Sequence, residues 1–263
     1  MKKELKNNEK EIVNDLLGYE GLKIIQRVDA FNFSLDSTLL ADFVTINKRD
    51  KKIIDLGCGN GYIPIFTTLR TNSNEIYGVE IQEDIYDLAK RSVELNQLED
   101  RIKIINDDMK NLPNRFGNSF FDVITCNPPY FKFKETSNIN QNDYLTIARH
   151  EVKITLEEVL DTVQKLLKEG GTFAMVHRTE RLLDVLHAFR NKGIEPKKLR
   201  FVYPKKTSTE SMMILIEGKK SKNQGGLKVL QPLYIYNKNG KYTKEVLNIF
   251  NYQEERYDKT KKL

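Results

Sequence analysis

Cysteine is scarce. Cys58 and Cys126 are the only two in 263 residues, and they stand far apart. Such a pair supports neither a disulfide framework nor a cysteine-rich zinc site, so two unpaired, buried thiols in a reducing cytoplasm are expected. Histidine is limited to His150, His177 and His187, which are not at ligand spacing, so no metal is expected. Apolar runs fall well short of the roughly 20 residues of a membrane span. The charged N-terminus does not read as a secretory signal. Membrane and export classes are thereby excluded, and a cytoplasmic monomer is the expectation. No internal repeat is present.

What the chain does contain is a core and an uneven charge. Apolar residues make up 39% and charged residues 30%, enough for one large domain or a domain with an extension. The net charge is +6, yet Gly218 to Leu263 alone carries eleven Lys and Arg against four Asp and Glu. A near-neutral body with a basic end is the footprint of a protein that meets a polyanion such as nucleic acid. Enrichment in Lys, Asn and Ile from A/T-rich coding would produce the same excess.

From Lys52 onward, strand and helix patterns alternate. Strands read at Lys52–Leu56, Glu75–Glu80, Arg101–Asn106, Phe121–Cys126, Gly171–His177, Leu199–Tyr203 and Met212–Glu217. Helices read at Ile63–Thr71, Asp84–Asn96, Leu156–Lys168 and Arg181–Lys192. This alternation predicts an α/β fold, a mostly parallel sheet with helices on both faces. The last two strands have no helix between them and read as a hairpin, with one antiparallel member at the edge. Seven strands ending this way resemble the Rossmann-like class I methyltransferase fold.

The flanks are less regular. Met1–Gly18 is a polar lead whose Ile12, Val13, Leu16 and Leu17 predict a short helix, and Leu22–Phe33 predicts one or two short strands. Ser34 to Ser37 offers N-cap candidates for a helix over Thr38–Val44. Residues 130–150 form a long connection without periodicity, the kind that handles substrate. Gly218–Lys228 reads as a basic linker, and Val229–Tyr236, a turn at Asn237–Gly240 and Tyr242–Tyr252 as a small appended element. The division expected is 1–50 as a lead that covers a cofactor, 51–218 as the main domain and 219–263 as a basic extension.

Between the first strand and the first helix lies Asp55-Leu-Gly57-Cys-Gly59-Asn-Gly61. A glycine-rich turn at the carboxyl end of a parallel strand lets a ligand approach the backbone. The spacing is Gly-x-Gly-x-Gly, not the dinucleotide Gly-x-Gly-x-x-Gly, and Asp55 would repel a phosphate. A phosphate-free cofactor with an ammonium group for Asp55 fits better, and S-adenosylmethionine is such a molecule. Glu80 ends the second strand nineteen residues after Gly61, where a carboxylate accepts from ribose hydroxyls. Asp107 and Asp108 follow the third strand and can accept from an adenine amino group, Asp108 being favoured. Asp36, in an element placed to close over the cofactor, joins them. Each acid taken alone also reads as a cap.

The fourth strand stops at Asn127-Pro128-Pro129-Tyr130, because two prolines cannot donate to a ladder. Asn127, preceding a proline, is held extended. An amino group on a flat heterocycle suits this corner: the Asn127 side-chain oxygen and the Pro128 carbonyl receive its two N–H groups, and Tyr130 stacks on its ring. Those bonds localise the nitrogen lone pair, so attack needs no matched general base.

The glycine loop, Glu80, Asp108 and Asn127-Pro-Pro-Tyr130, in that order, resemble adenine-N6 and related amino methyltransferases. More narrowly, Phe31-Asn-Phe-Ser-Leu-Asp36 with Leu39-Leu-Ala41, Ala148-Arg-His-Glu151 and Val202-Tyr-Pro-Lys205 resemble the bacterial tRNA(Val) adenine-N6 methyltransferases, which modify adenine 37. The resemblance implies catalytic roles for Asn127, Pro128, Pro129 and Tyr130. It implies a tRNA partner met by Phe131, Lys132, Lys134, Arg149, His150, Lys205 and Lys206, with Tyr234, Tyr236 and Tyr242 compatible. A release-factor glutamine methyltransferase, a DNA or ribosomal RNA amino methyltransferase, and a non-catalytic RNA-binding protein are the alternatives. The short N-terminal lead, the lack of a large target-recognition domain and the complete motif set weigh against them in turn.

Overall fold

Local pattern misleads at the first described element. The computed structural model describes residues 11–16, 19–27, 35–128 and 154–250, and opens on an antiparallel hairpin of β1 (Glu11–Leu16) and β2 (Tyr19–Arg27). The short helix expected there is a strand. Leu16 is buried whereas Ile12 and Val13 remain 41% and 40% exposed, so these residues do not form one buried helical face. Distant partners hold the hairpin: Arg91 grips Glu11 through two bonds of 2.9 and 2.8 Å, and the Ile25 N–H donates to Ser92 Oγ at 3.0 Å. Contacts of this range leave no mark on local periodicity.

The chain then runs α1 (Leu35–Phe43), β3 (Lys52–Leu56), α2 (Tyr62–Thr67), β4 (Glu75–Glu80), α3 (Glu83–Leu95) and β5 (Ile102–Asn106). It continues as α4 (Leu112–Phe116), β6 (Phe121–Cys126), α5 (Leu156–Leu166), β7 (Leu167–Arg178), α6 (Leu182–Asn191), β8 (Ile194–Lys205) and β9 (Met213–Lys220). Short β10 (Lys228–Val229), β11 (Leu233–Tyr236) and α7 (Lys244–Ile249) complete the described chain.

One nine-stranded sheet organises these elements, in the order β10-β8-β9-β7-β6-β3-β4-β5, with β11 also beside β8. Strands β3 to β7 are parallel, and β9 is antiparallel to both neighbours. The antiparallel strand is therefore internal, not at the edge: it slots between β7 and β8, and a hairpin pattern alone carries no information about which strand lies outermost. β10 and β11 pair in parallel with β8 and so extend this sheet.

Both faces are covered. Leu39 and Leu40 of α1, Phe66 of α2 and Val246 of α7 share one core with Ile53, while Leu160 of α5 and Phe189 of α6 share the other with Ile54. Adjacent residues of β3 thus point into different cores, the reason that parallel strands read as unbroken apolar runs. Among the described residues, no helix is long and apolar enough to cross a membrane.

Candidate active site

Because β3 to β6 are parallel and adjacent, their carboxyl ends form one rim. On it stand Asp55, the glycine loop, Glu80, Asp107, Asp108 and Asn127. The loop turns from β3 into α2 by placing Gly57, Gly59 and Gly61 at φ of 71°, 54° and 88°. A side chain would be strained at each, so the backbone stays bare for a ligand. Gly78 on β4 is required for another reason: a Cβ there would lie 2.8 Å from Cys58 Sγ. Sequence reasoning passed over Gly78, since close approach to a distant segment gives no local signal. Both cysteines are free and buried, and burial pushes each thiol well above its ordinary range.

Glu80 braces the loop. Its Oε2 accepts from the Gly59 N–H at 3.1 Å and its Oε1 from the Gln82 N–H at 2.9 Å. Burial raises its pKa, offset in part by these donors. Asp55, 3% exposed, is pushed up to about 8 by burial, with the Glu80 charge adding and the hydrogen bond from Thr125 opposing. That bond, Thr125 Oγ1 to Asp55 Oδ1, is 2.6 Å long. The two carboxyl groups thus sit out of water and disfavour each other's charge, an arrangement that a cationic ligand would relieve.

At β5 the capping role is visible. Asp108 Oδ1 accepts from the Lys110 N–H at 3.0 Å and Oδ2 lies 3.5 Å from Lys110 Nζ. Asp107 Oδ1 accepts from the Asp108 N–H and from Asn111 Nδ2, at 2.8 and 2.9 Å. Asp36 lies in the first turn of α1, half-buried.

Asn127 is half-buried and Pro128 buried. Asn127 Nδ2 donates to Ser37 Oγ at 3.0 Å, which sets the plane of the amide and assigns its oxygen to the opposite side. Ser37 belongs to α1, and α1 is pinned at both ends. Thr38 Oγ1 meets the Tyr62 hydroxyl at 2.9 Å, while Lys198 Nζ donates to the Phe43 carbonyl at 2.7 Å. Buried Glu217 accepts from the Thr45 N–H at 2.7 Å and pairs with Lys198 at 3.0 Å. The sequence marked Ser37 only as a capping candidate. Removing a bond of this kind costs about 1 kcal/mol, so Ser37→Ala is expected to lower turnover roughly fivefold to tenfold. Cofactor affinity should hold, and titration calorimetry beside single-turnover rates would separate the two.

Lys205 and Lys206 are exposed at the end of β8, at the same end of the sheet but three strands from β6 and beyond the level of Asn127, roughly 22 Å away. Pro129, Tyr130, Phe131, Lys132, Lys134, Arg149 and His150 lie outside the described residues, as does the connection 130–150. His177 is buried, and burial lowers its pKa to about 4, keeping the imidazole neutral; exposed His187 contacts Asn191. Among the described residues, no cluster of His, Cys, Asp and Glu is arranged to hold a metal.

Three kinds of likeness bear on this rim. Several relatives carry the name tRNA1(Val) (adenine(37)-N6)-methyltransferase. The protein of Flavobacterium psychrophilum is 23% identical over 85% of this chain and 94% of its own. That of Porphyromonas gingivalis is 27% identical over 65% and 68%, and that of Bacteroides thetaiotaomicron 30% over 57% and 61%. Among solved structures, a predicted O-methyltransferase from Agrobacterium tumefaciens superposes with a TM-score of 0.64 at 18% identity, covering 82% of this chain and 95% of that one. The M. jannaschii tRNA m1G37 methyltransferase gives 0.57 at 16%, covering 82% and 59%. At such identities the structures establish the fold alone. The family described as "Methyltransferase domain" matches residues 47–226, more than half the chain, and the chain belongs to that methyltransferase family.

Proposed function

We propose that this protein transfers a methyl group from S-adenosylmethionine to the exocyclic N6 of an adenine in tRNA, adenine 37 of tRNA(Val). The observation that carries the reading is Asn127 at the end of β6, its amide fixed by Ser37 beside the loop that joins β3 to α2. One relative named for this reaction matches 85% of the chain and others more than half of it, which supports the choice of substrate. In this reading residues 51–218 hold the chemistry, 1–50 cover the cofactor and 219–263 face RNA.

The donor set suits the cofactor. Asp55 and Glu80 are desolvated acids beside a bare backbone, matching an ammonium, whose charge would favour ionised Asp55, and ribose hydroxyls. Gln82 Oε1, buried and without a hydrogen-bond partner among the described residues, adds an unsatisfied acceptor next to Glu80. When bound, the cofactor supplies an electrophilic methyl on its sulfonium. The protein's part is to orient the amine. The Asn127 oxygen and the Pro128 carbonyl would accept the two N–H groups and so hold the lone pair out of the conjugation of the base, free to act as a nucleophile. Positioning of this kind is worth several kcal/mol. The new N–C bond would replace the bond from methyl to sulfur, and the surplus proton on nitrogen would then pass to water, consistent with a corner built from an amide and a carbonyl. Tyr130 and Phe131 would stack on a base splayed out of its loop.

The test is transfer of labelled methyl to an unmodified tRNA(Val) transcript, beside a transcript with guanine at position 37 and an unmodified release factor. Label on the first alone is the expected result. Label on the release factor alone would sink the tRNA reading while leaving the amine corner intact.

A further inference from the structure

The rim that holds Asn127 continues beyond it. β8 is parallel to β6, since each is separated from β9 or β7 by pairings whose senses cancel. β11 in turn pairs in parallel with the last residues of β8: Leu233 with Val202, Tyr234 with Tyr203 and Tyr236 with Lys205. β11 therefore runs past the level of the active-site rim, and the turn Asn237–Lys241 projects from the same end of the sheet as Asn127. Cys126 is level with Leu199 across the sheet, so this turn lies four strands sideways from β6 and some five residues farther along the strands than Asn127, roughly 25 Å away in all.

We propose that this corner, formed by Lys205 and Lys206 after β8 and by Lys238 and Lys241 in the turn after β11, is a docking surface for the phosphate backbone of the RNA substrate. It rests on the tRNA reading above and adds a surface to it.

Three observations carry the assignment. First, the charge is available: all four lysines are exposed, and none forms an ion pair or side-chain hydrogen bond among the described residues. The acids of the same two segments are Glu210, across the loop after Lys206, and Glu245, which is bound to Arg200. Second, the turn is prebuilt. Asn237 Oδ1 accepts from the N–H groups of Asn239 and Lys241 at 2.9 and 3.2 Å, and the Asn237 N–H donates to the Lys241 carbonyl at 2.8 Å. Tyr236 stacks on Tyr242 with ring centroids 5.3 Å apart, and Val246 and Ile249 anchor α7 in the core. Phosphates would meet cations on an ordered backbone, so little conformational entropy is lost on binding. Third, the span fits. A base splayed into the Asn127 corner leaves its stem lying over this end of the sheet, and a point about 25 Å off is within reach of the backbone flanking that stem.

The test compares wild type with Lys238→Ala/Lys241→Ala, two substitutions in an exposed turn. Binding of the unmodified tRNA(Val) transcript is measured over a series of salt concentrations, with S-adenosylmethionine affinity and thermal midpoint as checks on the fold. Each lost phosphate contact lowers the log–log salt slope by about 1, so a slope smaller by about 2 is expected. At moderate salt the affinity should fall about tenfold. Equal affinity and equal slope in the variant, while wild type methylates the transcript, would overturn the surface and leave the proposed reaction standing. Failure of wild type to methylate any tRNA would overturn the reaction and the surface with it.

Discussion

Asn127→Ala is expected to lower single-turnover methylation by about a hundredfold to a thousandfold, the loss seen when one preorganised polar group is removed from a developing charge. S-adenosylmethionine affinity should change by no more than a few fold, because Asn127 bonds to Ser37 of α1 and serves the amine in the proposed reaction, whereas the loop and Glu80 belong to β3 and β4. Asn127→Asp separates acceptor chemistry from amide geometry. It keeps an oxygen for the amine and loses the donor to Ser37, whose hydroxyl can rotate to donate instead. The expected order of rates is therefore wild type, then Asp, then Ala. An alanine variant that loses cofactor binding in proportion to its rate would move Asn127 from the amine to the cofactor.

Asp55→Asn should separate stability from binding. The Asp55 carboxyl titrates near 8 in the folded protein against an ordinary value of 3.8. The unfolded chain therefore releases this proton at lower pH than the folded one. Between about pH 4 and pH 8 ionisation favours the unfolded state, and the full penalty is present above the folded value. Relieving it should stabilise the cofactor-free protein by a few kcal/mol at pH 8, on the order of 5 to 10 °C in thermal midpoint, with little gain at pH 4. Cofactor affinity should move the other way and fall at least about tenfold, since an amide cannot match an ammonium. In wild type, affinity should also rise from pH 6 to pH 8 as the anion becomes accessible, a trend absent from the variant. Melting curves and calorimetry at three pH values would test all of this, and a pH-independent wild-type affinity would remove Asp55 from its role.

Much of this rim was legible before the fold was known. Gly57, Gly59 and Gly61 declare a backbone that only glycine adopts, Pro128 and Pro129 declare where a strand must stop, and Glu80 declares itself by its distance from the loop. Such signals are local: they concern the conformations one residue allows or the periodicity of its neighbours. Strands β3, β4 and β6 are legible to the residue because their residues are buried almost throughout, and edge strand β5, with Lys103 and Asn106 exposed, to within one residue. The capping of Asp107 and Asp108 was likewise foreseen as the plain alternative to ligand binding, and their hydrogen bonds show it at work.

Other features have no local trace. Gly78 matters because Cys58 comes to rest against it. β1 was misread because its partners, β2 and Arg91, lie outside any window that periodicity can scan. β9 was expected at an edge and is internal, since sheet order depends on which crossover packs best.

By itself, the sequence determined the chemistry this protein can offer: a glycine turn after a strand, acids at the strand ends, and an amide held before two prolines. These follow from backbone sterics and hydrogen-bonding capacity, which travel with the residue. Tertiary structure alone decided their arrangement. It placed Ser37 against Asn127, drove Asp55 out of water until its carboxyl is pushed up to about 8, and brought the turn after β11 to the same end of the sheet as the site. Burial and proximity arise from packing between segments far apart in the chain, and no single segment carries them.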